Sequence, residues 1–223
     1  MRYLGPIFQL AGLSPAAEVE RAQLERRLGA ALPEAFAELV LTDAWPSLLR
    51  LGSEDHPHPR EALGAPIRGY AGREEGLLPF MSENQGVCTW AIPLHEGPDP
   101  RVLVEVDSMP RPEWRLACES FSVWLRCRVE DGLMGPRVAY MAQAPPLSGA
   151  LLAELRAAFD EGPTTHAWPA AHNYRFQGPS VDLLLWAGDD QCDWHIAPRG
   201  DDPEAALRSI PRAGEIAAHL FEV

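Results

Sequence analysis

The segment Pro79–Trp90 constrains the fold of this chain more than any other stretch. It begins with an apolar run, continues through a polar turn that ends in Gly86, and enters a second run in which Cys88, Trp90 and Ile92 alternate with smaller residues. Alternation with a period of two is typical of a β-strand with one buried face. The segment therefore predicts a β-hairpin, and the sequence is more informative about fold than about catalysis.

The surrounding elements predict an antiparallel sheet covered by helices. Val102–Val106 alternates again and adds a third strand to the hairpin. A three-stranded antiparallel sheet needs helices on its apolar face. Ser120 is a suitable cap for one such helix, with an apolar stripe that includes Trp124 and a stop at Gly132. Two more helices are predicted upstream, one from Ser14-Pro15 to Gly29 and one that opens at Leu32-Pro33.

The second half of the chain contains the same kinds of element without a clear sequence repeat. Residues 135–147, which are rich in proline, are interpreted as a connection. Ser148 then caps a helix, residues 181–196 alternate around a turn at Gly188–Asp190, and Asp202-Pro203 starts a last helix. The predicted organisation is a domain at 1–134, the connection, and an α+β extension at 148–223 packed on the first half. The predicted fold class is α+β, with a largely antiparallel or mixed sheet.

Composition excludes several functional classes. The 223 residues carry a formal net charge of −13, and all 19 basic residues are arginine. A nucleic-acid-binding protein needs a basic patch, so no nucleic acid is expected as a partner. No leader and no apolar run long enough to cross a membrane is recognisable, which predicts a cytoplasmic protein without membrane contact. The four cysteines form no paired motif and are predicted to be buried free thiols.

Three groups of residues are candidates for chemistry. Glu54, Asp55, His56 and His58 could outline a metal site, but prolines space the histidines in a loop, and a solvated loop is the preferred interpretation. Asp193 and His195 share one side of a strand, and Asp182 is the candidate residue opposite them in the neighbouring strand. An exposed hairpin face explains these residues better than an acid–histidine pair. Trp90 and Trp194 are assigned to core packing. No catalytic, metal or cofactor residues are assigned, and no cofactor is expected.

Acidic pairs in loops and turns are the remaining candidates, as contacts for a basic protein partner. Such pairs are usually solvated, but they are also where a binding protein can meet basic residues. The predicted partner-binding residues are Glu54, Asp55, Glu74, Glu75, Asp189, Asp190, Asp201 and Asp202.

The order of these elements resembles the SUKH superfamily, which includes the yeast cell-wall regulator domain and many bacterial immunity proteins. The resemblance covers roughly residues 20–133. The residues that carry it are Leu28-Gly29, Leu32-Pro33, Leu78-Pro79-Phe80 through Gly86, Trp90, Val102–Val106, Ser120–Ser122 and Trp124-Leu125. One departure is Thr42–Pro46, where the family usually has an Asn-Gly turn. The resemblance implies an α+β fold and a non-catalytic bacterial protein that neutralises toxins, many of them nucleases, by binding.

Three functional hypotheses follow. The first is an immunity protein that blocks a toxin domain, with an acidic surface suited to a basic target. The second is a regulatory scaffold of the cell-wall-regulator type. The third is a hydrolase or metal enzyme that uses His56, His58, His195 or their acidic neighbours.

Overall fold

The computed structural model describes residues 1–64, 76–106 and 113–222. The chain forms an α+β structure that divides into two compact units, Met1–Glu130 and Asp131–Val223. Each unit contains one sheet, and every strand pair in both sheets is antiparallel. The fold class predicted from the sequence is confirmed.

The first unit places four short helices before its sheet and one long helix after it. The helices are α1 (Gly5–Leu10), α2 (Arg21–Leu28), α3 (Glu34–Val40), α4 (Trp45–Leu49) and α5 (Phe121–Met134), the last of which continues into the second unit. The strands are β1 (His56–Pro57), β2 (Leu77–Ser82), β3 (Cys88–Pro93), β4 (Val102–Val106) and β5 (Trp114–Cys118), adjacent in that order. A 3-10 turn at Arg60–Ala62 follows β1.

An aromatic cluster joins the helices of the first unit to its sheet. The rings of Phe36 on α3 and Phe121 on α5 have centroids 5.2 Å apart, and the ring of Phe80 on β2 lies 5.7 Å from each. Trp124 lies 5.3 Å from Phe80. The predicted apolar stripe of α5 and the assignment of Trp90 to the core are confirmed, since Trp90 and Trp124 are each 5% exposed. Edge-to-face contacts of this kind add to the free energy gained by burying the rings.

The turn between β3 and β4 caps two helices. The carbonyl of Pro98 accepts a hydrogen bond from the amide of Ala35 in the first turn of α3, at 2.8 Å. The carboxylate of Asp99 accepts from the amide and the hydroxyl of Ser122 at the start of α5, at 2.9 and 2.5 Å. The predicted cap Ser120 accepts from the amide of Val123 at 3.3 Å. Two helix N-termini, whose first amides lack partners within the helix, are thus completed by one turn.

The second unit is built around a larger sheet. Its strands are β6 (Tyr140–Ala144), β7 (Asp160–Glu161), β8 (Thr165–His166), β9 (His172–Gln177), β10 (Val181–Ala187), β11 (Cys192–Pro198) and β12 (Leu220–Glu222). Their order is β12-β6-β11-β10-β9-β7, with β8 also paired to β9. The helices are α6 (Gly149–Ala158), α7 (Pro203–Arg208) and α8 (Ala213–Ala217), and a 3-10 turn occupies Gly135–Arg137.

The core of the second unit follows the predicted alternation of β10 and β11. Leu183 is opposite Ile196 and Leu185 is opposite Trp194, and all four side chains are at most 1% exposed. They pack with Leu155 of α6 in one cluster. The predicted hairpin and the core position of Trp194 are therefore confirmed. Ser148 accepts a hydrogen bond from the amide of Leu151, which confirms it as the cap of α6.

The structure differs from the sequence-based organisation in three places. Residues 135–147, interpreted as a connection, contain the 3-10 turn and β6, because this segment pairs with β11 through backbone hydrogen bonds. Strands β1, β5, β7, β8, β9 and β12 were not predicted, and neither were helices α1, α4 and α8. The first predicted helix begins at Arg21 rather than after Ser14, because Ala17 forms a β-bridge with Thr42; its predicted end at Gly29, where φ is +69°, is confirmed.

Candidate partner-binding surface

The turn between β10 and β11 presents two adjacent carboxylates to solvent. The amide of Gly188 donates to the carbonyl of Gln191 at 2.9 Å, which leaves Asp189 and Asp190 as a two-residue loop. Both aspartates are exposed. In the part of the chain that the structure describes, neither carboxylate has an ion-pair partner. We call these two residues the acidic tip.

Asp201 and Asp202 lie at the opposite end of β11. The carboxylate of Asp202 accepts from the amide of Ala205 at 2.8 Å and caps α7, and Arg208 lies 3.8 Å from the same carboxylate. Asp201 is exposed. A seven-residue strand is roughly 20 Å long, so β11 separates these residues from the acidic tip. The two acidic pairs therefore do not form one contact surface, and Asp202 has a structural role.

Glu54 and Asp55 are adjacent in sequence but have different environments. Glu54 is exposed, and its Oε2 lies 3.5 Å from the amide nitrogen of Asn84. Asp55 is 9% exposed, and its Oδ2 accepts from Nη2 of Arg128 at 2.5 Å. Asp55 therefore has an ion-pair partner within the first unit, and its contact with a binding partner stays a prediction. Glu74 and Glu75 lie outside the described residues.

Arg128 is the centre of a polar cluster inside the first unit. Its Nε donates to the carbonyl of Leu49 at 2.7 Å, and Nη2 also donates to the hydroxyl of Ser53. The guanidinium carbon lies 5.8 Å from the ring centroid of Trp90 and 5.9 Å from that of Trp124. These are cation–π distances. The sequence analysis did not identify Arg128, whose position on a helix gives no sign of a partner 73 residues away.

The face of the second sheet that carries Asp182 and His195 is buried, whereas an exposed hairpin face was expected. Asp182 is 5% exposed and lies within 3.0 Å of nitrogens of Arg137 and Arg199. His195 is 8% exposed, and its ring centroid lies 4.1 Å from that of Trp186. Burial lowers the pKa of His195, against the opposing effect of Asp193. The neutral imidazole is thus favoured as a packing element.

His58 forms a polar chain with two hydroxyl residues across the first sheet. Its Nε2 lies 2.9 Å from Oγ of Ser82, and that oxygen lies 3.2 Å from Oγ1 of Thr89. Burial lowers the pKa of His58, against the opposing effect of the Pro79 backbone, and favours the neutral imidazole. In that form one ring nitrogen donates and the other accepts, so the direction of the contact with Ser82 depends on the tautomer.

These polar contacts connect the residue that follows β1 to strands β2 and β3. A histidine that accepts from a serine hydroxyl is also the smallest unit of base-activated nucleophilic catalysis. Within the described residues no carboxylate hydrogen-bonds to His58, so the third group that orients the base in such a unit is not supplied by a carboxylate. The sequence analysis named His58 but missed Ser82, because only strand pairing brings the two together.

The remaining candidates concern metals, thiols and membranes. No group of three or more histidine, cysteine, aspartate or glutamate side chains suited to a metal ion occurs among the described residues. All four cysteines are buried free thiols, as predicted. Burial raises the pKa of Cys88, and it raises the pKa of Cys192 to about 12. No helix in the described ranges has the length and apolar character required to cross a membrane.

Comparisons of the chain with protein-family models, curated proteins and solved structures found no match. The SUKH resemblance therefore stays a prediction that rests on the residues quoted for it.

Proposed function

We propose that this chain is a non-catalytic protein-binding module, and specifically an immunity protein that neutralises a toxin domain by direct binding. The observation that supports the proposal is the acidic tip, formed by Asp189 and Asp190. Two adjacent like charges repel each other, and no arginine of the described residues compensates them. A basic partner surface would supply the missing counter-charges.

Electrostatics also favour a basic target. The net charge of −13 creates a field that attracts cationic proteins and speeds their encounter. Nuclease domains carry basic surfaces because they bind the phosphate backbone. An acidic protein that covers such a surface would block substrate access without any catalytic residue. Asp189 and Asp190 are the proposed contacts, while Asp201 and Glu54 are exposed acids outside the tip.

Co-expression with the toxin domain encoded beside the gene, if one exists, tests the proposal. We expect rescue of growth and a stable complex. The variant Asp189→Asn with Asp190→Asn should slow association about tenfold at low salt. The matched control is Glu204→Gln with Glu215→Gln, which removes the same charge from exposed carboxylates that lie 3.2 and 4.0 Å from their own arginines. Absence of both rescue and complex would reject the proposal, and equal slowing by both variants would reject the role of the tip.

A serine hydrolase is a second candidate, on the basis of the 2.9 Å contact between His58 and Ser82. A fluorophosphonate probe reacts with base-activated serines. Stoichiometric labelling that disappears in Ser82→Ala and in His58→Gln would favour this function. Labelling that persists in Ser82→Ala, or no labelling at all, would leave the pair as a structural link between strands.

A further inference from the structure

The hairpin formed by β8 and β9 brings two histidines into direct contact. His166 and His172 are cross-strand partners in the register of this pair. Their Nδ1 atoms lie 3.0 Å apart, and their rings are nearly perpendicular, with an interplanar angle of 84°. His172 is exposed and His166 is half-buried, so solvent reaches the pair. The sequence gives little sign of this contact, because a Trp-Pro turn separates the two residues.

Buried polar side chains hold the hairpin in place. Asn173 is 1% exposed, and its amide donates to the carbonyl of Trp168 at 3.0 Å, inside the turn. Arg175 is 7% exposed and donates to the carbonyl of Pro163 at 3.1 Å. Arg175 also forms two hydrogen bonds of 2.7 and 2.6 Å with Asp131. These contacts fix both backbones that carry the histidines, so little further ordering is needed to bring the two rings together.

The separation of the two nitrogens fits a shared metal ion. Imidazole nitrogens bind first-row divalent metals at about 2.0–2.1 Å. Two ligands at a right angle are then about 2.9 Å apart, and two ligands at a tetrahedral angle are about 3.4 Å apart. The observed 3.0 Å is close to the right-angle value. Tetragonal geometry with nitrogen ligands is typical of Cu²⁺ and Ni²⁺.

We propose that His166 and His172 form a two-histidine site for a divalent transition metal, with Cu²⁺ bound most tightly and water in the other positions. The metal replaces the proton that the two Nδ1 atoms share. The lone pairs then have to converge on the ion, which requires each ring to rotate about its soft side-chain torsion. Tyr174, whose ring centroid lies 5.8 Å from that of His172, packs beside the pair.

Titration of the full chain with Cu²⁺, Ni²⁺ and Zn²⁺, each alone, tests the site by calorimetry and by NMR of the histidine rings. We expect one ion per chain at neutral pH, with Cu²⁺ bound most tightly. Two ligands on one scaffold bind with a high effective concentration, so losing either should weaken Cu²⁺ binding about tenfold or more. His166→Gln and His172→Gln should therefore have similar effects, and the double variant should bind more weakly than either. The exposed His219→Gln is the matched control.

The pattern among variants separates a shared site from independent histidines. Cu²⁺ binding that is weakened about tenfold or more in both single variants and unchanged in His219→Gln supports the proposal. Circular dichroism and the NMR spectrum show whether each variant keeps the native fold. Unchanged Cu²⁺ affinity in either folded single variant, or absence of Cu²⁺ binding by the native chain, would overturn the proposed two-histidine site.

Discussion

Arg128→Met is the most informative test of the first unit. The substitution removes the guanidinium but keeps an aliphatic side chain of similar length, so the packing between Trp90 and Trp124 is largely preserved. It leaves the carboxylate of Asp55, which is 9% exposed, without its cation. It also removes the donor to the Leu49 carbonyl.

The expected loss of stability is large. Breaking a buried ion pair by removing one partner costs about 3–5 kcal/mol, because the remaining charge stays buried. The side chains of Arg128 and Asp55 are 15% and 12% exposed, which favours the lower end of this range. Two cation–π contacts add about 0.5–1 kcal/mol each. We therefore expect Arg128→Met to reduce the free energy of unfolding by about 4–5 kcal/mol.

Hydrogen exchange at the Ala91 amide in the centre of β3 is the suitable assay, since it reports opening of the first sheet even if the two units unfold separately. Arg126→Met is the matched control on the same helix. Its side chain is 54% exposed and pairs with Glu130 at i+4, so its loss should cost less than about 1 kcal/mol. Adding Asp55→Asn to Arg128→Met should cost less than the sum of the single losses. Equal effects of Arg126→Met and Arg128→Met would refute the argument.

Three further predictions concern pH, a turn and a cap. Burial lowers the pKa of His58 and of His195 below 6.5, so the unfolded chain binds more protons than the folded chain. The free energy of unfolding should therefore be highest above that pH and decrease as the pH falls. Urea unfolding of His195→Gln should show a shallower decrease with falling pH. Gly86 has a φ of +74° and open space at its Cβ position, so Gly86→Val should lower the free energy of unfolding by about 1–2 kcal/mol through backbone strain alone. Gly86→Asn should lower it clearly less, and equal melting temperatures of the two variants would contradict this. Asp202→Ala should cost about 1 kcal/mol in urea unfolding and Asp201→Ala almost nothing, because only Asp202 caps α7; the reverse order would be inconsistent with this cap.

Elements whose signals are local could be predicted from the sequence. Ser148 caps α6 through an amide three residues away, and Asp202 does the same for α7. The alternation of β10 and β11 lies within one hairpin whose turn is marked by Gly188. In each case the residues that cause the structure lie next to one another in the chain.

Elements that depend on distant partners could not be predicted. Strand β6 contains no β-branched residue, and it exists because its backbone pairs with β11, some fifty residues later. The same limit applies to the candidate site. Glu54 and Asp55 have equivalent chemistry in sequence, and only the position of Arg128 makes one a buried ion-pair partner and the other a surface acid. His166 and His172 become a pair only through the register of a short hairpin.

The turn at Pro98 and Asp99 limits where residues can be inserted into or deleted from this chain. Turns between neighbouring antiparallel strands usually tolerate insertions, because few bonds depend on them. Here, an added or deleted residue would move the Pro98 carbonyl away from α3 and the Asp99 carboxylate away from α5 at the same time. Peptide insertions, affinity tags and new chain termini should therefore be placed at other loops, because this short surface turn fixes the starting points of two helices.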